Sequence, residues 1–537
     1  MNDGSRVSPA DPEAAVPRRA RIVLLASVFI VASCGLVYEL VAGAVSSYLR
    51  GDAVTQFSLV IGVFLSAMGV GSYLAQFVRR NLLATFVEIE IWVGLVGGAS
   101  SMVTFAVGAF AEDLFAPVFY GLCSAIGILV GIEIPLLVRI LGRGRKETAG
   151  AALSEVLALD YLGALVGALA FPFLALPWLG LTRSSVVFGL MNLAVAGVGI
   201  LLLREGRSGP TLRLATATVL LLLCLAQSAR WVGFLEDILY QDQVVFAEDS
   251  EYQRIVLTRW RHDVRLYLNG HLQFSSVDEA RYHESLVIPA MEAVRATGAA
   301  PKTVLILGGG DGLAAREVLS YGSVERVVLV DLDPKVTELA RQRDDLVALN
   351  RGSLDAPSLQ VVHDDAFRFL RAAPDPELPA FYDVILADLP DPSTPTLAKL
   401  YSRAFYASAL RRLSRHGVLV TQATSPFFAR QAFWSVVETL RNSRAAELET
   451  EVGGVHVLPY HVHVPSFGEW GFAMASLRPV DPLALSVSTS TRFLDDDTLH
   501  ALFVFPKDLA PVPVAVNRLE DPVLFRYYEK GWGAFHP

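Results

Sequence analysis

Cysteine is almost missing: Cys34, Cys123 and Cys224 are the only three among 537 residues. Each sits in an apolar run and none has metal-ligand spacing, so neither a disulfide framework nor a zinc site organises the chain, and no metal is expected. Charge is scarce too, at 18% of residues, and its balance is acidic, a net −9. Following a phosphate backbone needs the opposite sign, so no nucleic acid is expected as a partner, whereas cationic ligands suit the balance. Internal repeats and low-complexity tracts are absent from the polar half. Apolar residues, by contrast, make up 53% of the chain, and the mean hydropathy is +0.44. That is too apolar for a soluble enzyme of this length, and 537 residues are too many for one domain.

The excess is concentrated in one half. Residues 1–20 read as a polar, disordered tail. Residues 21–230 then hold about seven apolar runs, roughly 22–41, 57–77, 86–110, 114–141, 151–176, 186–203 and 214–226. Most can cross a ~30 Å hydrocarbon core. An all-α, polytopic domain in the cell's inner membrane is therefore expected, in contact with the lipid bilayer. The first run is long and followed by others, unlike a cleaved signal peptide.

Basic residues mark alternate ends of these runs: Arg18, Arg19 and Arg21; Arg79 and Arg80; Arg139, Arg143, Arg145 and Lys146; Arg204, Arg207 and Arg213. Basic loops stay in the cytoplasm, which puts the N-terminus inside. Seven spans would then carry the polar half outside, against the cytoplasmic location expected of a nucleoside-dependent domain. Within or beside the runs lie Glu39, Glu88, Glu90, Glu133, Glu155 and Asp160. Such charges are costly in a membrane, so they either line a path for a cation or sit at interfaces and in interhelical hydrogen bonds. Pro172 and Pro177 should kink or end a helix.

Beyond Trp231 the texture changes. Residues 240–300 read as a small β-unit, with Asn269-Gly270 between apolar flanks signalling a hairpin. Residues 301–480 repeat strand and helix, with strands at 304–307, 326–330, 359–362, 383–387 and 417–421. This is the pattern of a doubly wound, Rossmann-like α/β domain with a mostly parallel sheet and its ligand at the strands' carboxyl ends. Residues 481–537 form a C-terminal extension.

The first of these strands runs into Gly308-Gly-Gly-Asp-Gly312, a strand, glycine turn and helix start that lets a backbone approach a nucleoside closely. Asp311 inside the turn would repel an anion and attract a cation. Three further acidic positions end the following strands: Asp331; Asp364 and Asp365; and Asp388 with Asp391. Carboxylates gathered at one cleft repel each other unless a cation lies between them. A polyamine and a sulfonium both qualify. Their joint chemistry is attack of an amine on the carbon beside the sulfonium, which needs a carboxylate to take the amine's proton. Asp388 is the candidate for that base.

From about Tyr252 to Gly471 the chain resembles the spermidine synthases, the polyamine aminopropyltransferases, in their membrane-attached branch. The likeness rests on Gly308 to Gly312, on Leu268-Asn-Gly-His-Leu-Gln273, on Asp278-Glu279 and Tyr282-His283-Glu284, and on Asp388, Asp391, Pro392 and Pro395. It implies a methyltransferase-type fold and transfer of an aminopropyl group from decarboxylated S-adenosylmethionine to putrescine or a similar polyamine. Spermidine and 5′-methylthioadenosine would be the products. The donor would be a co-substrate, with no permanently bound cofactor, and a homo-oligomer is expected. By position, Asp388 would be the catalytic base. Asp391, Asp311, His283 and Tyr282 would bind the polyamine and aminopropyl ends. Gln253, Gly308, Gly310, Asp331, Asp365, Ala366 and Pro395 would bind the nucleoside.

Asp331 stands where soluble members usually carry Glu, a shorter arm; the other departures fall on the amine side. Leu389-Pro390 and Thr394 replace small residues, a glutamate is missing from Thr396 to Leu400, and an acceptor-contacting tyrosine falls at Val464. His461 and His463 read as structural. Two competing readings remain: an S-adenosylmethionine methyltransferase on the same fold, which Asp311, Asp388 and Asp391 argue against, and a non-catalytic polyamine-binding or transport protein.

Overall fold

The computed structural model describes residues 17–50, 53–142, 149–203, 207–240, 242–443 and 454–535. Most of the expected tail, and the loop markers Arg143, Arg145, Lys146 and Arg204, lie outside them. Arg18 to Ala20, assigned above to the tail, already belong to the first helix. The chain divides into two compact units, Met1–Val244 and Val245–Pro537.

The described residues of the first unit form long helices: α1 (Arg18–Arg50), α2 (Ala53–Leu74), α3 (Leu82–Phe110), α4 (Phe115–Leu141), α5 (Ala149–Ala170), α6 (Leu176–Leu202) and α7 (Ser208–Tyr240). Among the described residues six helical segments are long and apolar enough to cross a membrane. One of them, Gly150–Leu202, has 53 residues, enough for two crossings of about 20 residues each. It comprises α5 and α6, joined through a π-helical turn at Phe171–Ala175 that contains Pro172, with Gly180 at φ 71° beyond Pro177. Both prolines thus sit where helical geometry is interrupted.

Small residues let these helices meet backbone to backbone. A Cβ on Gly163 would lie 2.3 Å from the Phe29 carbonyl oxygen, and one on Gly131 would lie 2.2 Å from that of Met68. The contacts also fix directions. Phe29–Gly163 and Ser33–Gly167 make α1 and α5 parallel, and Tyr38–Gly97 with Leu49–Gly108 does the same for α1 and α3. The Glu88–Arg213 pair and the Phe110–Phe234 ring contact align α7 with α3. Glu90–Asn192 and Ser101–Thr182 make α6 antiparallel to α3. Gly43–Phe57 and Ser46–Gln56 fold α2 back on α1, and Phe64–Gly127 with Met68–Gly131 sets α4 parallel to α2. Odd helices therefore run one way and even helices the other. Glu88 and Glu155 are paired with Arg213 and Arg21. Glu90 and Glu133 are buried, and Glu90 Oε2 accepts a hydrogen bond from Asn192 Nδ2 at 3.1 Å.

The second unit opens with a four-stranded sheet, β1 (Gln243–Asp249), β2 (Arg254–Trp260), β3 (Asp263–Leu268) and β4 (His271–Ser275), paired in that order. Asn269 and Gly270, at φ 51° and 81°, make the two-residue turn between β3 and β4. Seven strands follow: β5 (Thr303–Gly308), β6 (Arg326–Asp331), β7 (Leu359–His363), β8 (Tyr382–Asp388), β9 (Leu413–Gln422), β10 (His456–Val464) and β11 (Gly468–Ser476). Their order is β10-β11-β9-β8-β5-β6-β7, with β5 to β9 parallel and β10 and β11 antiparallel. The outermost strand, β10, carries Pro459, which an edge strand tolerates.

Residues Val304 to Leu307 are wholly buried because alternate side chains enter two cores. Val304 and Ile306 join one core, and Leu305 and Leu307 the other. The helix α8 (Glu279–Ala296), placed above in the β-unit, packs instead into the first core, as its apolar run from Leu286 to Val294 dictates. The extension joins both cores, through Leu485, Leu494, Leu499 and Leu502 on one side and Leu524 on the other.

Candidate active site

The parallel sheet brings β5 and β8 side by side, with Gly308 in register with Asp388. Gly308, at φ 85°, has no room for a side chain, since a Cβ would lie 1.9 Å from the Asp388 carbonyl oxygen. The glycine turn thus presses directly on the end of the strand that carries Asp388. Tyr282, buried on α8, donates its hydroxyl hydrogen to Asp388 Oδ1 at 2.8 Å. Burial pushes the Asp388 carboxyl up to about 6; Asp311 adds to the rise, while His283 and the Tyr282 hydrogen bond oppose it. A carboxylate so tuned is ionised at neutral pH yet basic enough to take a proton.

His283 is buried one residue further along α8. Its Nδ1 lies 2.9 Å from Glu279 Oε2 and 2.9 Å from the Glu279 carbonyl oxygen. Burial alone would lower its pKa, but Glu279, with Asp311 and Asp388, outweighs burial and raises it. Asp311 turns one oxygen inward, Oδ1 accepting from Leu313 N at 2.8 Å at the start of α9 (Leu313–Val318). Burial raises the Asp311 carboxyl above the usual carboxylate range against the opposing pull of His283. Tyr282, His283, Asp311 and Asp388 are thus one electrostatic cluster.

Asp391 follows β8. Its Oδ1 accepts from Gln422 Nε2 at 3.2 Å, and the Tyr528 hydroxyl also bonds it. Burial nonetheless pushes it up to about 6. Pro395 opens the short helix behind this loop, Pro395–Ala398, which Thr394 caps.

Among the residues expected to bind the nucleoside, Asp331 ends β6 and accepts from Gly310 N and Asp333 N, each at 2.9 Å. A Cβ on Gly310 would stand 2.6 Å from Asp331 Oδ2, so this glycine is required for the pairing. Burial pushes Asp331 up to about 6. Gln253, another of these residues, bonds Asp333, its Nε2 donating to Oδ2 at 3.0 Å. Asp365 caps the helix that Ala366 begins and pairs with Lys399 at 2.8 Å. Burial raises its pKa, yet Lys399 and the Phe367 and Arg368 N–H groups outweigh it and hold the carboxyl low. Asp364 pairs with Arg368 instead.

Several residues here were not read from the sequence. Glu279, Asp333, Gln422 and Tyr528 each hold a candidate site residue, Arg316 holds Glu279, and Thr424 holds Gln422 through its N–H. Thr424 carried the one local signal, a β-branched residue after a strand, and it adopts φ 58°, a strained conformation that clusters at functional sites. Tyr528 carried none, because it arrives from a helix 137 positions after Asp391. Val464, by contrast, is buried in the first core. Among the described residues no cluster of three or more His, Cys, Asp or Glu could hold a metal ion.

The spermine/spermidine synthase domain family matches residues 279–478. The chain is 44% identical over 514 residues to a polyamine aminopropyltransferase of Leptospira interrogans, covering 95% of this chain and 98% of that one. It is 45% identical over 526 residues to polyamine aminopropyltransferase 2 of Ralstonia nicotianae, covering 96% and 99%. With the polyamine aminopropyltransferase of Mycobacterium tuberculosis it shares 43% identity over 529 residues, 96% and 97% of the two chains.

Proposed function

The chain belongs to the polyamine aminopropyltransferase family, and from that premise we propose how its residues carry the reaction. It is an enzyme that transfers the aminopropyl group of decarboxylated S-adenosylmethionine to an amine, forming spermidine; putrescine is the proposed acceptor. The methyltransferase and non-catalytic readings find no support among these relatives.

The acceptor nitrogen attacks the aminopropyl carbon bonded to sulfur. The C–S bond breaks, its electron pair stays on sulfur, and 5′-methylthioadenosine leaves as a neutral thioether. The nitrogen must shed a proton, and Asp388 receives it. Asp391 holds the acceptor's far ammonium; Asp311, with His283 and Tyr282, borders the reacting end. Gly308, Gly310, Asp331, Gln253, Asp365, Ala366 and Pro395 make the nucleoside side. Charge supports this donor choice, because Asp311 attracts the aminopropyl ammonium and would repel the carboxylate of an intact methionine.

The observation that carries the assignment is Tyr282 on Asp388 at 2.8 Å, at the strand end beneath the glycine turn. Incubating the protein with putrescine and decarboxylated donor should release 5′-methylthioadenosine. Asp388→Asn should abolish release while sparing donor binding, and full activity in that variant rejects the base. The helical unit is proposed to be a multi-pass domain in the inner membrane, and the enzyme a homo-oligomer. The availability of the donor favours a cytoplasmic catalytic unit.

A further inference from the structure

Beneath His283 lies a buried charge network that the reaction does not use directly. Glu279, almost wholly buried, receives a fork from Arg316, with Nη1 to Oε1 at 3.1 Å and Nη2 to Oε2 at 2.8 Å. Its Oε2 also meets His283 Nδ1 at 2.9 Å. A third cation completes the set: Arg492 Nη2 donates to Glu279 Oε1 at 2.6 Å. Burial would raise the Glu279 carboxyl, but the bonds from His283 and Arg316 hold it well below the usual range.

Arg492 lies beyond the residues 279–478 that match the family domain. Its segment is fastened to α8. Glu284, next to His283, accepts the backbone N–H groups of Arg492, Phe493 and Leu494 at 2.7, 2.9 and 2.9 Å. Leu494 is buried in the α8 core, and the Phe493 ring lies 4.6 Å under the Arg281 guanidinium. Such anchorage is more than a surface ion pair requires, since those contribute little.

We infer that Arg492 is a positioning residue for His283, acting through Glu279, so that the C-terminal extension completes the active site. The inference rests on the aminopropyltransferase reading given above. Arg316 holds both Glu279 oxygens in the plane of its fork, and Arg492 fixes Oε1 from the other side. Oε2 is then left in one place to receive His283 Nδ1, which orients the ring within the Asp311–Asp388 cluster. The charged groups acting on His283 are Glu279 from α8, Asp311 from the glycine turn and Asp388 from β8; Arg316 from α9 and Arg492 meet Glu279, and Glu317 from α9 meets both arginines. Removing the Arg492 charge leaves Glu279 freer to hold the His283 proton, so the imidazolium should persist to higher pH.

The test begins with the wild-type protein, putrescine and decarboxylated donor. Absence of turnover there rejects the functional reading, whereas the variants judge the inference alone. In Arg492→Gln, kcat/KM should fall about tenfold, as loosened positioning does. The His283 titration, followed by ¹⁵N NMR of histidine-labelled protein and assigned with His283→Gln, should move up by about half a pH unit. In the His283→Gln background, Arg492→Gln should cost little further, because both act through one ring. An unmoved titration in folded Arg492→Gln, or additive losses in the double variant, overturns the inference. If Arg492→Gln does not fold, Arg492→Lys replaces it: the charge remains but not the planar guanidinium that reaches Glu279 Oε1, so the titration should hold while kcat/KM drops several-fold. A wild-type rate in Arg492→Lys overturns the inference equally.

Discussion

Tyr282 donates its hydroxyl hydrogen to Asp388 Oδ1 at 2.8 Å. That bond favours the ionised carboxylate and opposes the burial that pushes Asp388 up to about 6. Tyr282→Phe should therefore raise the apparent pKa of the base by about half a unit to one unit. The acid limb of the kcat/KM profile should move up with it, with a smaller loss on the plateau. Stopped assays of methylthioadenosine release between pH 5 and 9 measure this directly. A variant whose acid limb stays in place would show that another group controls it.

In the free enzyme, Asp331, Asp388 and Asp391 all titrate near 6, each because burial disfavours its charge. Their folded values lie above the unfolded carboxylate range of about 4. They therefore favour folding most at low pH, and that contribution is lost as pH rises from about 4 through about 6. A cation bound among the ionised carboxylates should recover it. Spermidine, at one fixed concentration, should raise the melting temperature more at pH 7.5 than at pH 5. Equal shifts at the two pH values would place the polyamine elsewhere.

The strand-end carboxylates were legible because a parallel sheet converts sequence order into a row of side chains at one edge. Gly308 was legible for a related reason, since only glycine tolerates the approach to Asp388. What stayed hidden was everything that arrives from far along the chain. Arg492 reaches Glu279 across 213 positions, and no local pattern announces such a partner. The antiparallel strands β10 and β11 were also missed, since Gly468, Gly471 and Pro459 weaken the strand signal there. The helical unit was read well because its runs are long. Its fifth and sixth runs are joined through a π-helical turn and Gly180, a detail that hydropathy does not register.

Tyr528 brings a hydroxyl to Asp391 from the C-terminal helix Val523–Trp532. That helix is held by the Trp532 ring stacked on Phe428 at 4.8 Å and by Gly531 packed against Ala429. Tyr528→Phe keeps the ring and removes only the hydrogen bond. A charge-assisted bond of this kind stabilises by about 1.5–3 kcal/mol. The putrescine KM should therefore rise roughly tenfold while the donor KM stays within twofold. Equal changes in both constants would make the residue a general packing element.

Gly310 and Gly308 should fail differently when changed to alanine. Gly308 sits at φ 85°, and its Cβ would meet Asp388 backbone, which cannot move without shifting β8. Gly308→Ala should cost stability as well as activity, by roughly 2 kcal/mol or more. Gly310 has no positive φ, and its Cβ meets the Asp331 carboxylate, which can swing away. Gly310→Ala should therefore stay folded but bind the donor at least about tenfold more weakly, because the hydrogen bond that orients Asp331 is lost. Calorimetry with methylthioadenosine separates the two; a Gly310→Ala protein with wild-type affinity would remove Asp331 from the nucleoside site.

The alternation of α1 to α7 carries a topological prediction. α7 is one continuous helix of 33 residues that runs beside α3 from the Glu88–Arg213 pair to the Phe110–Phe234 contact. In a bilayer, seven alternating helices leave the start of α1 and the end of α7 on opposite faces. Arg21, Arg79, Arg80, Arg207 and Arg213 gather at the end where α1, α3, α5 and α7 begin, as basic residues do at a cytoplasmic face. Donor availability pulls the other way, toward a cytoplasmic catalytic unit. With seven crossings one demand fails, because either the basic ends or the catalytic unit lies outside; both are met only if one of the seven helices does not cross. Sealed vesicles of known orientation, with one tag at the N-terminus and another at the C-terminus, decide between these. Opposite protease accessibility of the two tags is the expected result, and like accessibility would remove one crossing.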